Sequence, residues 1–379
     1  MSIKIQPYTE EFTVSVTEFN QRIAPANLTF SVPASPVPGW LPKRPDRNIH
    51  REMFLAVEDE RVRGAYTLKL QQFLCGGAVR PVGSCQMPVS EGIVDKRYAL
   101  VGVRIMEDAL RRQPLAYDLG IGSIDAPIAK VHRAMGWRFR QIPFFFRVEN
   151  GFRFSRNIEY LRTDLSWRLG LDTAAFSGVA GLAATLVHRC GAMLAGRGQA
   201  KQAAASGSIF AESFTEFGCW ADDVWHQCQE HYSLAAVRSA EILNILYPPE
   251  HQRFIRVRVL RRDHTVGWAI LLSTHMSGNK YFGNMRVGSI VDCLAVPGEE
   301  HAVIAEAARV LRRQRIDLAV TNQSHFAWRS ACRGAGFLQG PSNYILGTSK
   351  DLSGLLEQSD PEYERIHITR GDGDGPIHL

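Results

Sequence analysis

The chain has 379 residues, more than one hydrophobic core usually spans, and this length fits two domains of about 150 residues with a connecting segment. Its 45% hydrophobic and 22% charged residues are ordinary for a globular protein, which excludes a disordered or fibrous chain. The net charge of +6 comes mostly from dispersed arginines, and no run of five like charges marks a nucleic-acid-binding arm. DNA is therefore not an expected partner.

Cysteine usage and the N-terminus point to a cytoplasmic protein. The seven cysteines are odd in number and include no CxxC pair, which favours reduced thiols and predicts no metal site. The N-terminus has no apolar run after its first lysine, so no signal peptide is expected.

The most apolar stretch, residues 174–195, is interrupted by His188 and Arg189. Its clean part of about 14 residues is shorter than the roughly 18 to 20 that span a bilayer, so no transmembrane segment is expected. The stretch predicts a buried or interdomain helix, with a membrane-surface helix as the alternative.

The sequence repeats itself. Residues 108–113 read DALRRQ and residues 309–314 read RVLRRQ, so Leu110 pairs with Leu311 at an offset of 201. A glycine followed by an aromatic residue recurs at an offset of 200, at Gly136 and again at Gly336. A repeat of this length indicates two copies of one fold.

The first copy predicts strands at residues 51–59, 63–73 and 91–95, followed by an amphipathic helix. Its apolar positions recur at helical spacing: Val103, Met106, Ala109 and Leu110. Next come a strand at 115–122, a helix at 123–136 with Ser123 as its N-cap and Gly136 as its C-cap residue, and a strand pair at 137–148.

The second copy predicts the same order of elements: strands at 254–262, 266–273 and 287–296, a helix at 299–313, a strand at 316–323 and a helix at 324–337. The small, polar composition of residues 196–208 is typical of a flexible linker. The tail from residue 370 is expected to be disordered. The predicted division is an N-terminal domain at 1–155, a helical connector and linker at 156–208, a C-terminal domain at 209–350 and a tail at 351–379.

This order of elements resembles the GNAT superfamily of N-acyltransferases in both halves, over about residues 50–148 and 253–346. The resemblance implies an α/β fold class (α+β, with mixed sheets) and two tandem GNAT-like domains, each with a sheet splayed near its centre. It also implies an N-acyltransferase, most typically an N-acetyltransferase, that uses acetyl-CoA or another acyl-CoA as co-substrate. The acceptor would be the amine of a small molecule, an amino sugar or an amino-acid derivative.

In that family the turn after the central strand usually reads like DPxYRGxGxG, and its backbone amides hold the coenzyme A pyrophosphate. Unpaired amides and the positive end of the helix dipole favour an anion there. The segment here is DKRYALVGVR; Asp95, Tyr98 and Gly102 match the pattern, whereas Ala99 and Arg104 depart from it. The resemblance implies coenzyme contacts at Val94, Asp95, Arg97, Leu100, Val101, Gly102, Val103 and Arg104.

The corresponding turn of the second copy is expected at residues 296–305. Val303 stands there at the position of Gly102, and Glu299 and Glu300 would repel a pyrophosphate. The first copy is therefore predicted to carry the coenzyme, while the second has lost it or uses its cleft for the acceptor.

Acyl transfer to an amine needs a proton acceptor for the ammonium and an acid for the departing thiolate. The resemblance implies a carboxylate base on the central strand, where Glu91 is expected, with Asp292 as its counterpart at an offset of 201. It implies an acid in the last helix, where His132 and Cys332 stand. The alternatives are a strand-end acid or ion-pair partner for Glu91, a solvent-facing helical residue for His132 and a packing role for Cys332.

Two other functions stay open. Tandem GNAT folds also occur in Fem-type aminoacyl-tRNA-dependent transferases, but the sequence shows no long helical-arm insertion or basic stripe, so a tRNA partner is not expected. A catalytically silent GNAT-fold binding module is the other alternative, because both turns depart from the family pattern. The acyl chain length, the acceptor and the oligomeric state stay open.

Overall fold

The structure is a computed structural model, and it describes residues 3–28, 30–120, 124–125, 127–161 and 208–373. The strands, in chain order, are β1 Lys4–Pro7, β2 His50–Glu58, β3 Arg61–Cys75, β4 Ala78–Ser90, β5 Ala116–Leu119, β6 Arg138–Gln141, β7 Phe144–Val148, β8 Ile209–Ser213, β9 Leu234–Ala236, β10 Ile255–Arg261, β11 His264–His275, β12 Arg286–Ala295, β13 Leu318–Asn322, β14 Leu338–Gly340, β15 Ile345–Thr348 and β16 Ile366–His367. The helices are α1 Thr13–Ile23, α2 Val101–Arg112, α3 Pro127–Ala134, α4 Gly151–Asn157, α5 Cys219–Cys228, α6 Ala240–Leu246, α7 Glu300–Arg313, α8 Phe326–Gly334 and α9 Lys350–Ser359.

The chain forms two compact units that exchange strands along the sequence. Unit 1 contains residues 1–141 and 345–362, and unit 2 contains residues 142–344 and 363–379. Unit 1 therefore takes β15 from near the end of the chain, and unit 2 takes β7 from the first half. The predicted division, with domains at 1–155 and 209–350, treats each domain as one continuous stretch, whereas each of these units is completed by a strand that is distant in sequence.

The sheet of unit 1 has the strand order β1-β2-β3-β4-β5-β15-β6. Its neighbours run antiparallel except β4 and β5, which are parallel. Helix α2 buries its apolar stripe on one face of this sheet, where Val101, Ile105 and Met106 pack against Phe54 and Leu68. Helix α1 covers the other face around Phe19 and Val16.

The sheet of unit 2 has the strand order β14-β7-β13-β12-β11-β10-β8. It too is antiparallel except at its centre, where β12 and β13 are parallel. Helix α7 buries Val303, Ala307 and Leu311 against this sheet, and α8 adds Trp328 to the same core. Outside the sheet, β16 pairs in parallel with β9.

The predicted order of elements is confirmed in both halves, as are the mixed sheets. One predicted strand is wrong: residues 91–95 do not form the third strand of the first half. That strand is β4, which ends at Ser90, and a 3-10 turn at Glu91–Ile93 follows it. A glycine makes the turn possible, because a Cβ atom at Gly92 would lie 2.6 Å from the carbonyl oxygen of Tyr98.

The end of the chain also differs from the sequence prediction. Helix α9 lies in the predicted tail, and residues 370–372 form a 3-10 turn instead of a disordered segment. Gly371 and Asp372 are buried in this turn, and the capping box of Thr369 closes it. Residues 374–379 lie outside the described residues.

Other predictions also fall outside the described residues: the cap at Ser123, the apolar stretch at 174–195 and the linker as far as residue 207. Among the helices that the structure describes, none is both long and apolar enough to cross a membrane.

Candidate functional site

The central strands of unit 1 separate where β4 approaches helix α2. Strand β4 pairs with β5 at Gly83 and Ser84, and among the described residues no strand pairing continues on that side as far as Ser90. Parallel strands that part in this way leave backbone groups unpaired and open a cleft between them. The predicted splay at the centre of the sheet is therefore present in unit 1.

A β-bulge bends β4 just before its end. Ala65 of β3 lies opposite Val89, but the next registered pair is Thr67 with Gln86, so two residues of β4 face one residue of β3. Met87 lies in this bulge with a φ of 51°, in the left-handed region. Bulges re-aim side chains and break strand pairing, and they are common beside active sites.

The N-terminus of helix α2 follows β4 and offers unpaired amides. Within the part of the chain that the structure describes, no hydrogen bond joins the backbone amides of Leu100, Val101, Gly102 or Val103 to a protein acceptor. The surface is open at Gly102, because the nearest atom to an added Cβ would be Ser90 Oγ at 3.6 Å. Unpaired amides at the positive end of a helix dipole form a site for an anion such as phosphate.

The cations around this helix start are of two kinds. Arg97 is exposed, but its Nη2 lies 2.6 Å from Asp95 Oδ2, and its amide donates to the same carboxylate. Lys96 and Arg104 are also exposed, and neither has an ion-pair partner among the described residues. Lys96 and Arg104 are thus the cations available to a bound phosphate.

The remaining predicted coenzyme contacts divide by exposure. Val94 and Leu100 are exposed, at 41% and 70%, and flank the turn. Val101 is buried in the core of unit 1, so only its amide faces the opening.

Glu91 lies just beyond the end of β4 and is buried between two guanidinium groups. Arg22 Nε lies 3.1 Å from its Oε1, and Arg63 Nη1 lies 3.0 Å from its Oε2. Arg63 also stacks over the ring of Tyr98, 4.3 Å from its centroid. Both oxygens of Glu91 are therefore held in ion pairs that tie α1 and β3 to the turn, and these contacts compete with a role as proton acceptor.

His132 is fully buried, contrary to a solvent-facing position on α3. Its ring stacks on Trp137 with centroids 4.1 Å apart, and neither ring nitrogen has a hydrogen-bond partner among the described residues. Burial lowers the pKa of His132 to about 4, so the ring is neutral at neutral pH. A buried, neutral imidazole is poorly placed to donate a proton to a thiolate.

The corresponding helix start of unit 2 is blocked by acids. Glu299 is the N-cap residue of α7 and pairs with Arg261, and Glu300 accepts a hydrogen bond from the amide of Gly298. Burial raises the pKa of Glu300. These carboxylates lie at the start of the helix, where their negative charge opposes a bound anion.

Strand register changes one of the sequence pairings. Gly64 and Gly267 lie under the following helix in their units, since an added Cβ would meet Ile105 at 2.8 Å and Val303 at 2.5 Å. Their strand partners are Ser90 and Ala295, respectively. Asp292 lies three residues before Ala295 and therefore corresponds to Met87 at the bulge, not to Glu91. The offset of 201 fails here because the loop after β4 spans residues 91–100, against 296–299 after β12.

The sequence missed a buried charged cluster in unit 2. Arg238 lies between Asp292 and Asp372, with Nε 3.1 Å from Asp292 Oδ1 and Nη2 2.9 Å from Asp372 Oδ2. Tyr247 donates to Asp292 at 2.8 Å. Only Asp292 carried a sequence signal, because its partners lie far along the chain.

Within the described residues, no group of three or more His, Cys, Asp or Glu side chains is arranged to hold a metal ion.

Solved structures resemble this chain. A GCN5-related N-acetyltransferase from Anabaena variabilis ATCC 29413 superposes with a TM-score of 0.52 at 8% identity, covering 91% of this chain and 72% of that chain. The chain has a tandem GNAT fold.

Two further structures superpose less well. A protein from Enterococcus faecalis V583, described as a probable N-acyltransferase, gives a TM-score of 0.49 at 10% identity, covering 94% of this chain and 74% of that chain. Saccharomyces cerevisiae N-myristoyltransferase with bound myristoyl-CoA gives 0.49 at 12% identity, covering 92% and 78%. No protein-family model matches the sequence, and no curated protein matches it. Likeness at these identities concerns the fold alone.

Proposed function

We propose that this tandem GNAT-fold protein is an acyl-CoA-dependent N-acyltransferase that binds its coenzyme in unit 1. The observation that carries the proposal is the start of α2, where four consecutive amides have no acceptor among the described residues and Gly102 leaves room for a ligand. The same helix start in unit 2 is occupied by acids. The proposal thus assigns one coenzyme to each chain.

The coenzyme pyrophosphate would accept hydrogen bonds from the amides of residues 100–103. Lys96 and Arg104 would neutralise its charge, since Arg97 is already paired with Asp95. The pantetheine arm would then run along the side of β4 that faces β5, towards the bulge at Met87. This course takes the thioester to the splay between β4 and β5.

In the proposed reaction, the neutral amine of the acceptor attacks the thioester carbonyl carbon. The tetrahedral intermediate then expels the coenzyme thiolate, forming an amide; the amine gives up one proton and the thiolate takes one. Glu91 and His132 stay predictions as the base and acid, and the contacts of both side chains favour structural roles. The transferred group would be an acetyl or a longer acyl group.

A second candidate is a coenzyme-binding protein that transfers no acyl group. The observation that favours it is the burial of both predicted catalytic side chains in structural contacts. The two candidates share the coenzyme site and differ in turnover.

Calorimetric titration with coenzyme A, acetyl-CoA and longer acyl-CoAs tests the site. Arg104→Gln should weaken binding about tenfold, because a charge-assisted hydrogen bond contributes about 1.5 kcal/mol or more. Arg80→Gln is the matched control, since Arg80 is an exposed arginine near the other end of β4. Equal weakening by both variants, or no binding by the wild type, would contradict the proposed site.

Release of free thiol from acyl-CoA in the presence of a panel of amines then separates the two candidates. Amine-dependent thiol release with formation of the matching amide supports the transferase. Tight binding of acyl-CoA without release of thiol, for every acyl-CoA and amine tested, supports the coenzyme-binding protein that transfers no acyl group.

A further inference from the structure

The end of the chain in unit 2 lies between strands that diverge. Strand β12 pairs with β13 from Val287 as far as Ile290, and beyond Ile290 no strand among the described residues pairs with β12 on that side. Residues 366–372 enter this opening from β16 and contact both strands. The opening is the counterpart, in unit 2, of the splay beside β4.

On the β12 side, the segment binds backbone and side chain. His367 Nε2 lies 3.0 Å from the carbonyl oxygen of Cys293, and Thr369 Oγ1 donates to Asp292 at 3.1 Å. Gly371 packs so closely against the hydroxyl of Tyr247 that no Cβ atom would fit there. The segment therefore covers the backbone edge that the divergence leaves exposed.

On the β13 side, the contacts come from residues at and just beyond the strand end. Ser324 donates its hydroxyl to the carbonyl oxygen of Ile366 at 2.6 Å and accepts from the amide of Ile368 at 2.7 Å. Arg370 Nη1 donates to Asn322 at 3.4 Å. One short segment thus bridges two strands that do not pair with each other at this level.

Charge fixes the segment in place. Asp372 accepts from Arg238 at 2.9 Å, and Arg238 also pairs with Asp292 of β12 and donates to the carbonyl oxygen of Ala236. Arg238 is 1% exposed, and the side chains of the two aspartates are 2% and 4% exposed. Arg238 therefore joins the segment to β12 through charge-assisted hydrogen bonds, which are stronger than bonds between neutral groups.

We propose that residues 366–372 act as an intrinsic ligand of unit 2: they permanently fill the opening between β12 and β13, which no coenzyme or acceptor then enters. The segment is bound as an extended ligand would be. It makes hydrogen bonds to β12 and to Ser324 beyond β13, and it ends in an ion pair with Arg238. This inference goes beyond the proposed function, because it concerns unit 2 and holds whether or not unit 1 transfers an acyl group.

Hydrogen–deuterium exchange of the full chain tests the seating of the segment. The amides of Ile368, Thr369 and Gly371 should be protected in the wild type, since each donates to a buried acceptor. Asp372→Asn should raise their exchange about tenfold or more, because a neutral amide replaces the carboxylate that accepts from Arg238 and from the amide of Thr369. Asp223→Asn is the matched control, because Asp223 is an exposed aspartate on α5 of the same unit.

Thr369→Val keeps the shape of the side chain and replaces its hydroxyl with a methyl group. This variant provides the test if Asp372→Asn does not fold, and it should raise the exchange of the same amides about tenfold. Exchange of the wild-type segment at the rate of an unprotected chain would overturn the inference. The inference would also be overturned if two molecules of coenzyme A bound to each chain and the amides of residues 366–372 then exchanged faster. Failure of coenzyme A to bind at all contradicts only the proposed function, and protected amides would still support the inference.

Discussion

Gly102 leaves room for a ligand at the start of α2 because glycine has no side chain. An added Cβ would meet only Ser90 Oγ at 3.6 Å, so Gly102→Leu should fold. Because the leucine side chain would cover the amides at the start of α2, we expect coenzyme A affinity to fall at least tenfold, as measured by calorimetry.

The control for Gly102→Leu is Gly354→Leu. Gly354 also lies in a helix of unit 1, and nothing lies within 4 Å of an added Cβ. An unchanged affinity in Gly102→Leu, with the melting temperature unchanged, would place the coenzyme elsewhere.

Glu91 is the residue for which two roles predict different outcomes. Its carboxylate pairs with Arg22 and with Arg63, which also pairs with Glu58, so Glu91→Gln should weaken both contacts of Glu91 and destabilise the fold. We expect a loss of about 1 to 3 kcal/mol, below the value for a fully buried pair because Arg22 is 31% exposed. Denaturant unfolding measures it, and Glu107→Gln on the exposed side of α2 is the control. Unchanged stability with turnover lost and recovered at higher pH would instead identify Glu91 as the base.

His132 makes stability depend on pH. Its folded pKa of about 4 lies below the ordinary value of about 6.5, so the unfolded chain binds a proton more readily. The contribution of His132 to the free energy of unfolding is complete above pH about 6.5. It is lost as the pH falls towards 4, at up to about 1.4 kcal/mol per pH unit. His325 is shifted in the same direction by burial.

His132→Phe keeps the stacking on Trp137 and removes the titrating group. Unfolding in urea from pH 7 to pH 4.5 should therefore show a shallower loss of stability in this variant. His226→Gln, at an exposed position on α5, should keep the wild-type slope. Identical slopes for all three proteins would mean that His132 does not titrate as its burial implies.

At the scale of elements, hydrophobic periodicity predicted the helices well, because α2 and α7 each bury one apolar stripe against a sheet. Strand β4 was missed because Pro81 and Pro88 weaken its pattern, and Pro88 is tolerated only because it lies at the bulge. The pattern of EGIVD predicts a strand instead, although Gly92 turns the chain there. The error moved Glu91 onto a strand and paired it with Asp292.

The candidate site was predictable only in part. The turn before α2 carried a readable motif, and the acids before α7 distinguished the two copies. The ion pairs of Glu91 and the burial of His132 depend on Arg22, Arg63 and Trp137, whose proximity arises from tertiary packing. The charged cluster around Arg238 was invisible for the same reason.

The exchange of β15 and β7 between the two units is not visible in the order of the sequence. Strand β15 lies between β5 and β6 in unit 1, yet about 200 residues separate it from them. A fragment of residues 1–141 therefore lacks the interior strand β15 and leaves the facing edges of β5 and β6 without their partner. We expect this fragment to be largely unfolded by circular dichroism and to show no cooperative thermal transition.

The register of β15 suggests how to restore unit 1 as one continuous chain. Gln141 and Ile345 lie directly opposite each other in an antiparallel pair, so an Asn-Gly linker between them would form a two-residue hairpin loop. Residues 1–141 joined in this way to residues 345–362 should regain a cooperative melting transition and, if unit 1 holds the coenzyme, bind coenzyme A at one molecule per chain. The control carries the same linker but Pro in place of both Leu346 and Thr348, which pair with β6 and β5. If the joined protein melted no more cooperatively than the fragment of residues 1–141, the units would not be independently stable, and strand exchange alone would not explain why the fragment fails to fold.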